Sequence, residues 1–224
     1  MSSSAPLCPK CCQKMKNILY GKLTSDPGPD YIVGGCELSP DSPQWGCACE
    51  EESALKVKFQ IIVDDITTLN VDAIVNAANS QLERGGGVCG AIYRAAGREL
   101  DAECSVRFPN GIATGEAVAT KGYNSKAKWI IHAVAPRSKG NGDGDHLKLS
   151  NAYRNALLAA DEVGARSIAF PSLGTGIYAW DVQIAAPYAL HDGLRSTFNE
   201  LKNITTVILC CFSEEDKRIY ETFA

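Results

Sequence analysis

From about Lys56 onward, short apolar runs alternate with longer amphipathic ones, and this alternation restricts the fold more than any single motif. The stretches "VKFQIIV" (57–63), "DAIVNAA" (72–78), "EAVATKG" (116–122), "WIIHAVA" (129–135), "SIAFPSL" (167–173) and "TVILCCF" (206–212) read as strands. "GVCGAIYRAAGRELDAEC" (87–104) reads as one helix with Val88, Ala91, Ile92 and Ala95 on its apolar face, and 147–163, 181–201 and 213–223 carry the same helical period. Strands separated by helices of this length predict a mostly parallel sheet covered on both faces. No internal repeat is visible.

The first fifty residues are of a different kind. They hold six of the ten cysteines and are rich in Gly, Pro, Ser and Asp, with no sustained helical period. Such a segment buries little apolar surface by itself and needs a staple. "CPKC" supplies Cys8 and Cys11 at knuckle spacing, and "WGCACE" brings in Cys47 and Cys49, a set able to hold a tetrahedral structural zinc. The segment resembles small bacterial zinc-ribbon modules. It departs from them at the second knuckle, where C-x-C replaces C-x-x-C, so that Cys12, Cys36 or Glu50 is an alternative ligand. The domain division is therefore a zinc-ribbon-like module at 1–52 and an α/β domain at 53–224.

Composition excludes some function classes. A net charge of −4 disfavours broad nucleic-acid binding, which depends on a basic stripe to displace counterions. No apolar run approaches the ~20 residues of a membrane span, and the opening "MSSSAPLCPK" has no secretory h-region. With adjacent cysteine pairs at Cys11/Cys12 and Cys210/Cys211, a reduced cytoplasmic setting is expected.

Two glycine-rich loops follow strands, where open α/β sheets bind ligands and backbone amides can approach an anion. The first is "NSQLERGGGVCG" (79–90) and the second "SLGTGIY" (172–178). Two such loops suit two phosphates, as in a diphosphate-bridged nucleotide. The G-x-G-x-x-G pattern within "GGGVCG" is a poor Rossmann fingerprint: six residues separate it from the strand, and the position twenty after Gly90 is Asn110 rather than an acid. No Lys followed by Ser or Thr completes a Walker A loop either.

"DITTLNVDAIVNAANSQLERGGGVCGAIYRAAG", "TGEAVATKGY", "WIIHAVAP", "IAFPSLGTGIY" and "VILCCFSEEDKRIYETF", in this order from about residue 57 to 224, resemble the macro domain family and its MacroD-type branch. The resemblance implies a three-layer α/β/α domain with a mixed, mostly parallel sheet. It also implies ADP-ribose as ligand and mono-ADP-ribosylated proteins as partners. By it, Asp65 accepts from the adenine amino group beside the Ile66 backbone, and Phe212 packs on adenine. The amides of Gly86, Gly87, Val88 and Cys89, and those of Gly174, Thr175, Gly176, Ile177 and Tyr178, hold the diphosphate, Thr175 adding a hydroxyl, and Ser172 is a further ligand-binding residue of the second loop. Asn79 bonds the distal ribose with Asn76 beside it, and Tyr178 covers that sugar.

Many MacroD-type members hydrolyse the ester joining ADP-ribose to Asp or Glu side chains, and some deacetylate O-acetyl-ADP-ribose. Their V-D-G-x-I-H signature reads V-C-G-A-I-Y here, replacing a carboxylate by Cys89 and an imidazole by Tyr93. Alphavirus macro domains, which include hydrolases, are similar at these positions. The expected activity is thus mono-ADP-ribosyl hydrolysis, with Asn79, Cys89 and Asn76 as the catalytic candidates; the alternative is a non-catalytic ADP-ribose reader. If the ligand's own phosphate orients the water, positioning supplies about 7–11 kcal/mol of the barrier. Cys89, at a helix N-terminus, is open to two roles: an activated thiol, or a small residue whose amide faces phosphate. His132 reads as a satisfied strand histidine, His146 and His191 lack metal-pair spacing, Cys210 and Cys211 read as core, and Trp180 as packing.

Overall fold

The structure, a computed structural model, describes residues 16–19, 31–33, 45–46, 57–140 and 144–224. The chain divides into two compact units, Met1–Ala54 and Leu55–Ala224. In the first, strands β1 (Lys16–Leu19), β2 (Tyr31–Val33) and β3 (Trp45–Gly46) pair in the order β2-β1-β3, with β1 parallel to β2 and antiparallel to β3. The zinc-ligand candidates Cys8, Cys11, Cys47 and Cys49, and the alternatives Cys12, Cys36 and Glu50, lie outside the described residues.

The second unit is built on six strands: β4 (Lys58–Val63), β5 (Ala73–Ala77), β6 (Ala117–Lys121), β7 (Trp129–Ala133), β8 (Ser167–Pro171) and β9 (Thr206–Cys211). Their order is β4-β9-β8-β5-β7-β6, parallel throughout except for β6, which runs antiparallel to β7 at one edge. The sheet is therefore mixed and mostly parallel.

Strand period two divides the core between the two faces. Ala73, Val75, Ile131, Ile168, Phe170, Val207 and Leu209 point one way, against helix α3 (His146–Glu162). Ile74, Ile130, Ala169 and Cys210 point the other way, against α1 (Gly87–Ala96) and α2 (Arg98–Arg107). Helix α3 meets the sheet with Leu149, Ala152, Tyr153, Ala156, Leu157 and Ala160, a stripe at helical spacing, and begins where the Asp145 carboxylate accepts from the Lys148 amide at 3.1 Å. Each large side chain fully buried in this way contributes about 1.5–3 kcal/mol. The result is a three-layer α/β/α domain.

Two helical readings need correction. The expected single helix at 87–104 is broken at Gly97, which sits at φ +93 and separates α1 from α2. A Cβ there would also meet the movable tip of Asn124, 2.7 Å away at Nδ2, but it is the left-handed turn that requires glycine. The expected helix at 181–201 is composite. It opens as α4 (Val182–Pro187), widens into a π-helix at Tyr188–Leu194 and tightens to a 3₁₀ helix at Arg195–Glu200. Pro187 has no N–H for the regular ladder, and the change of helical register follows it directly. The last helix, α5 (Glu214–Thr222), starts where Ser213 Oγ accepts from the Asp216 amide.

Candidate functional site

A cleft of about 790 Å³ opens at the carboxyl ends of β4, β5, β8 and β9, lined at those strand ends by Val63, Ala77, Pro171 and Cys211. That is the position and size expected of a small-molecule site in an open α/β sheet.

The first wall is the loop between β5 and α1. Gly86 begins α1 without a side-chain cap, and the first turn holds no acidic residue. The opening amides of the helix are left to an anion, at the end of the helix where the dipole favours one. Gly87 has φ +58, and a Cβ on Gly90 would lie 2.7 Å from the Gly85 carbonyl oxygen, so helix and loop touch backbone to backbone. The loop is braced from within. Asn79 Oδ1 accepts from the amides of Gln81 and Glu83, both at 3.1 Å, while Nδ2 donates to the Glu83 carbonyl at 2.8 Å. Leu82 occupies the left-handed region at φ +56, and the buried Tyr93 hydroxyl donates to its carbonyl.

The second wall is the loop after β8. Gly174 has φ +84, and a Cβ on it would stand 2.8 Å from Trp180 Cδ1. Trp180 is itself fixed, its Nε1 donating to the Pro136 carbonyl at 2.8 Å and its amide to the Gly174 carbonyl at 3.1 Å. The Arg137 guanidinium lies 4.4 Å over the Tyr178 ring. A Cβ on Gly86 would come within 3.2 Å of Ile177, so the two loops meet across the cleft.

The opposite end is acidic. Among the described lining residues the carboxylates are Asp64, Asp65 and Asp216, beyond the ends of the edge pair β4 and β9. Asp65 accepts from the Thr67 hydroxyl at 2.7 Å and its amide at 2.9 Å, and these bonds hold its carboxyl below the usual range, ionised and ready to accept. Phe212 is 95% exposed at this end.

The expected ligand residues Asp65, Ile66, Gly86, Gly87, Val88, Ser172, Gly174, Thr175, Gly176, Ile177, Tyr178 and Phe212 all line this one cleft. The three expected catalytic residues, of which Asn79 and Cys89 are also expected to contact the ligand, do not. Asn79 is engaged within its own loop, as described. Cys89 is 4% exposed, with Sγ 3.7 Å from the Glu83 carbonyl, and burial pushes its thiol up rather than down. Asn76 is fully buried: Nδ2 lies 3.1 Å from His132 Nδ1, while its Oδ1 has no partner among the described residues. His132 is the satisfied strand histidine expected, its Nε2 3.0 Å from Thr120 Oγ1, and burial lowers its pKa to about 4.

Sequence reasoning missed Asp64, Asp216, Ala77 and Ala91 as lining residues, and it assigned Cys210 and Cys211 to the core without noticing that they also face the cleft. It also missed the buried tyrosines under the second loop. Tyr153 accepts from the Leu173 amide at 2.7 Å, and Tyr220 meets Ser172 Oγ at 2.5 Å. The spacing of Asp216 after Phe212, one helical turn beyond the strand end, was the available signal for that residue; nothing local marks the tyrosines.

The macro domain family profile matches residues 75–189. A macro domain-containing protein of Chlorobaculum tepidum is 47% identical over 165 residues, covering 74% of this chain and 94% of that protein. The ADP-ribose glycohydrolase MACROD2 of Homo sapiens is 43% identical over 76% of this chain, a match that spans 40% of that longer protein. Among solved structures, a mutant macrodomain of Oceanobacillus iheyensis with ADPR is similar at a TM-score of 0.70 and 36% identity, covering 76% of this chain and 94% of that one. With the two-loop cleft at the carboxyl edge of its mixed six-stranded sheet, the chain belongs to the macro domain family.

Proposed function

We propose that the cleft binds ADP-ribose and that the protein releases it from esters on acidic side chains of proteins. The observation that carries this reading is the polarity of the cleft: carboxylates and an exposed aromatic ring at one end, amide loops whose described lining residues carry no acid at the other. A diphosphate fits between the loops, where orphan amides and a helix N-terminus favour negative charge. A base with an exocyclic amino group fits the acidic end, since a hydrogen bond to a charged acceptor is the stronger kind. Phe212 offers it a stacking surface. The similarity to MACROD2, named as an ADP-ribose glycohydrolase, supports turnover.

In the mechanism we favour, water attacks the ester linkage and the products are free ADP-ribose and the side-chain carboxylate. No Asp, Glu or His appears among the described lining residues of the two loops, and the Cys89 thiol is held neutral by burial. The protein's contribution is then to fix the distal ribose and the diphosphate, leaving a phosphate oxygen to orient the water. A reader without turnover is the second reading, favoured by the same absence of a base. Release of ADP-ribose from a Glu-modified protein tests the choice. Release at a rate well above buffer supports hydrolysis, and tight binding without release leaves the reader.

A further inference from the structure

The second loop carries two hydroxyl side chains, and the hydrogen bonds beneath it give them different roles. Thr175 Oγ1 donates to the Ser172 carbonyl at 3.1 Å, which commits its proton inside the loop. Ser172 Oγ instead meets the Tyr220 hydroxyl at 2.5 Å. Tyr153 accepts from the Leu173 amide at 2.7 Å. Both tyrosines are fully buried, whereas Ser172 lines the cleft.

The direction of this pair follows from burial. Tyr220 is fully buried, and Ser172 Oγ is the hydrogen-bond partner within reach of its hydroxyl proton. The Tyr220 proton then goes to Ser172 Oγ, and the Ser172 proton is left facing the cleft. In the opposite direction Ser172 would donate inward, and a phenolic proton would be stranded in the core, the costlier arrangement for a buried polar group. Both phenols are kept protonated by burial, Tyr220 with its pKa raised to about 12.

We infer that Ser172, polarised by Tyr220, is the side-chain hydroxyl donor of the second loop to the ligand's diphosphate, with Tyr220 acting as a positioning residue. The inference rests on the functional reading above. It ties the anion-binding loop to helix α5, which carries Tyr220.

The test measures ADP-ribose and adenosine binding by calorimetry for the unaltered protein, Ser172→Ala, Tyr220→Phe and the double variant, with melting curves alongside. Ser172→Ala is expected to lose about tenfold in ADP-ribose affinity, the scale of one hydrogen bond to a charged group, and nothing for adenosine, which has no phosphate. Tyr220→Phe is expected to lose ADP-ribose affinity with adenosine unaffected, and the double variant to lose no more than Ser172→Ala alone. Ser172→Ala binding ADP-ribose like the unaltered protein would overturn the inference. So would Tyr220→Phe weakening adenosine and ADP-ribose equally, the signature of a structural role. Failure of the unaltered protein to bind ADP-ribose would instead refute the functional reading.

Discussion

Replacing Gly90 by alanine should destabilise this domain, although the substitution ordinarily does the reverse. Gly90 lies inside α1, where glycine costs about 0.5–1 kcal/mol relative to alanine, so the helix alone would gain from Gly90→Ala. The new Cβ, however, would stand 2.7 Å from the Gly85 carbonyl oxygen and 3.2 Å from Arg94 Nη1. The arginine tip can move aside. The carbonyl belongs to backbone in the braced first loop and yields only if the loop shifts away from the helix. Overpacking of this kind costs about 1–3 kcal/mol, which offsets the helical gain and leaves a net loss of up to about 2.5 kcal/mol. For a domain of this size each kcal/mol moves the melting temperature by about 2–4 °C, so a fall of up to about 10 °C is expected. Displaced amides should also weaken ADP-ribose binding in calorimetry. Gly176→Ala is the control for stability, since its Cβ would meet nothing within 4 Å. A Gly90→Ala protein that melts higher than the parent and binds ADP-ribose equally well would refute the reasoning.

Phe212→Ala should leave the melting temperature unchanged, because the ring is 95% exposed, while lowering ADP-ribose affinity by about 5- to 160-fold, the range of aromatic–base stacking worth about 1–3 kcal/mol; equal affinities would remove the stacking role. Tyr93→Phe leaves the buried Leu82 carbonyl without its donor and should cost about 1–3 kcal/mol in urea denaturation, with a looser first loop and slower ester release. His132 has a folded pKa lowered to about 4, below its unfolded value, so its contribution is complete above about pH 6.5 and is lost as pH falls toward 4. The full difference is of order 3 kcal/mol, and an imidazole that titrates near pH 6.5 by NMR in the folded protein would contradict this. For the N-terminal segment, metal analysis of the purified chain should find one zinc per molecule, reduced by substituting Cys8 and Cys11 together; a zinc-free protein would end that proposal.

The sequence made some of this legible and hid the rest for identifiable reasons. Alternating apolar runs such as "WIIHAVA" report burial on both faces directly, so the parallel core of the sheet and its covering helices could be read from periodicity. The break at Gly97 is masked because apolar residues recur on both sides of it, and its cause is a backbone φ of +93 that a lone glycine does not announce. Pro187 is a local signal for an irregular helix that the apolar pattern around it masks. At the cleft, the glycines announced backbone amides because that chemistry needs no side chain, whereas Asp65 was marked only by the family resemblance.

Asn79, Cys89 and Asn76 show the limit of this kind of reading. Position after a strand places such residues near the cleft but cannot say where their bonds go, and the structure sends Asn79 into its own loop and Asn76 toward His132 on the neighbouring strand. The Ser172 arrangement lies beyond sequence reading for the same reason: its partner is 48 residues away in α5. A serine beside a glycine loop is ambiguous as donor or acceptor in isolation. Its direction follows only once the buried Tyr220 hydroxyl is found to have Ser172 Oγ as its partner. On the inference drawn above, the anion site of this macro domain depends on a core tyrosine, so substitutions in α5 belong among those to be tested for function as well as for stability.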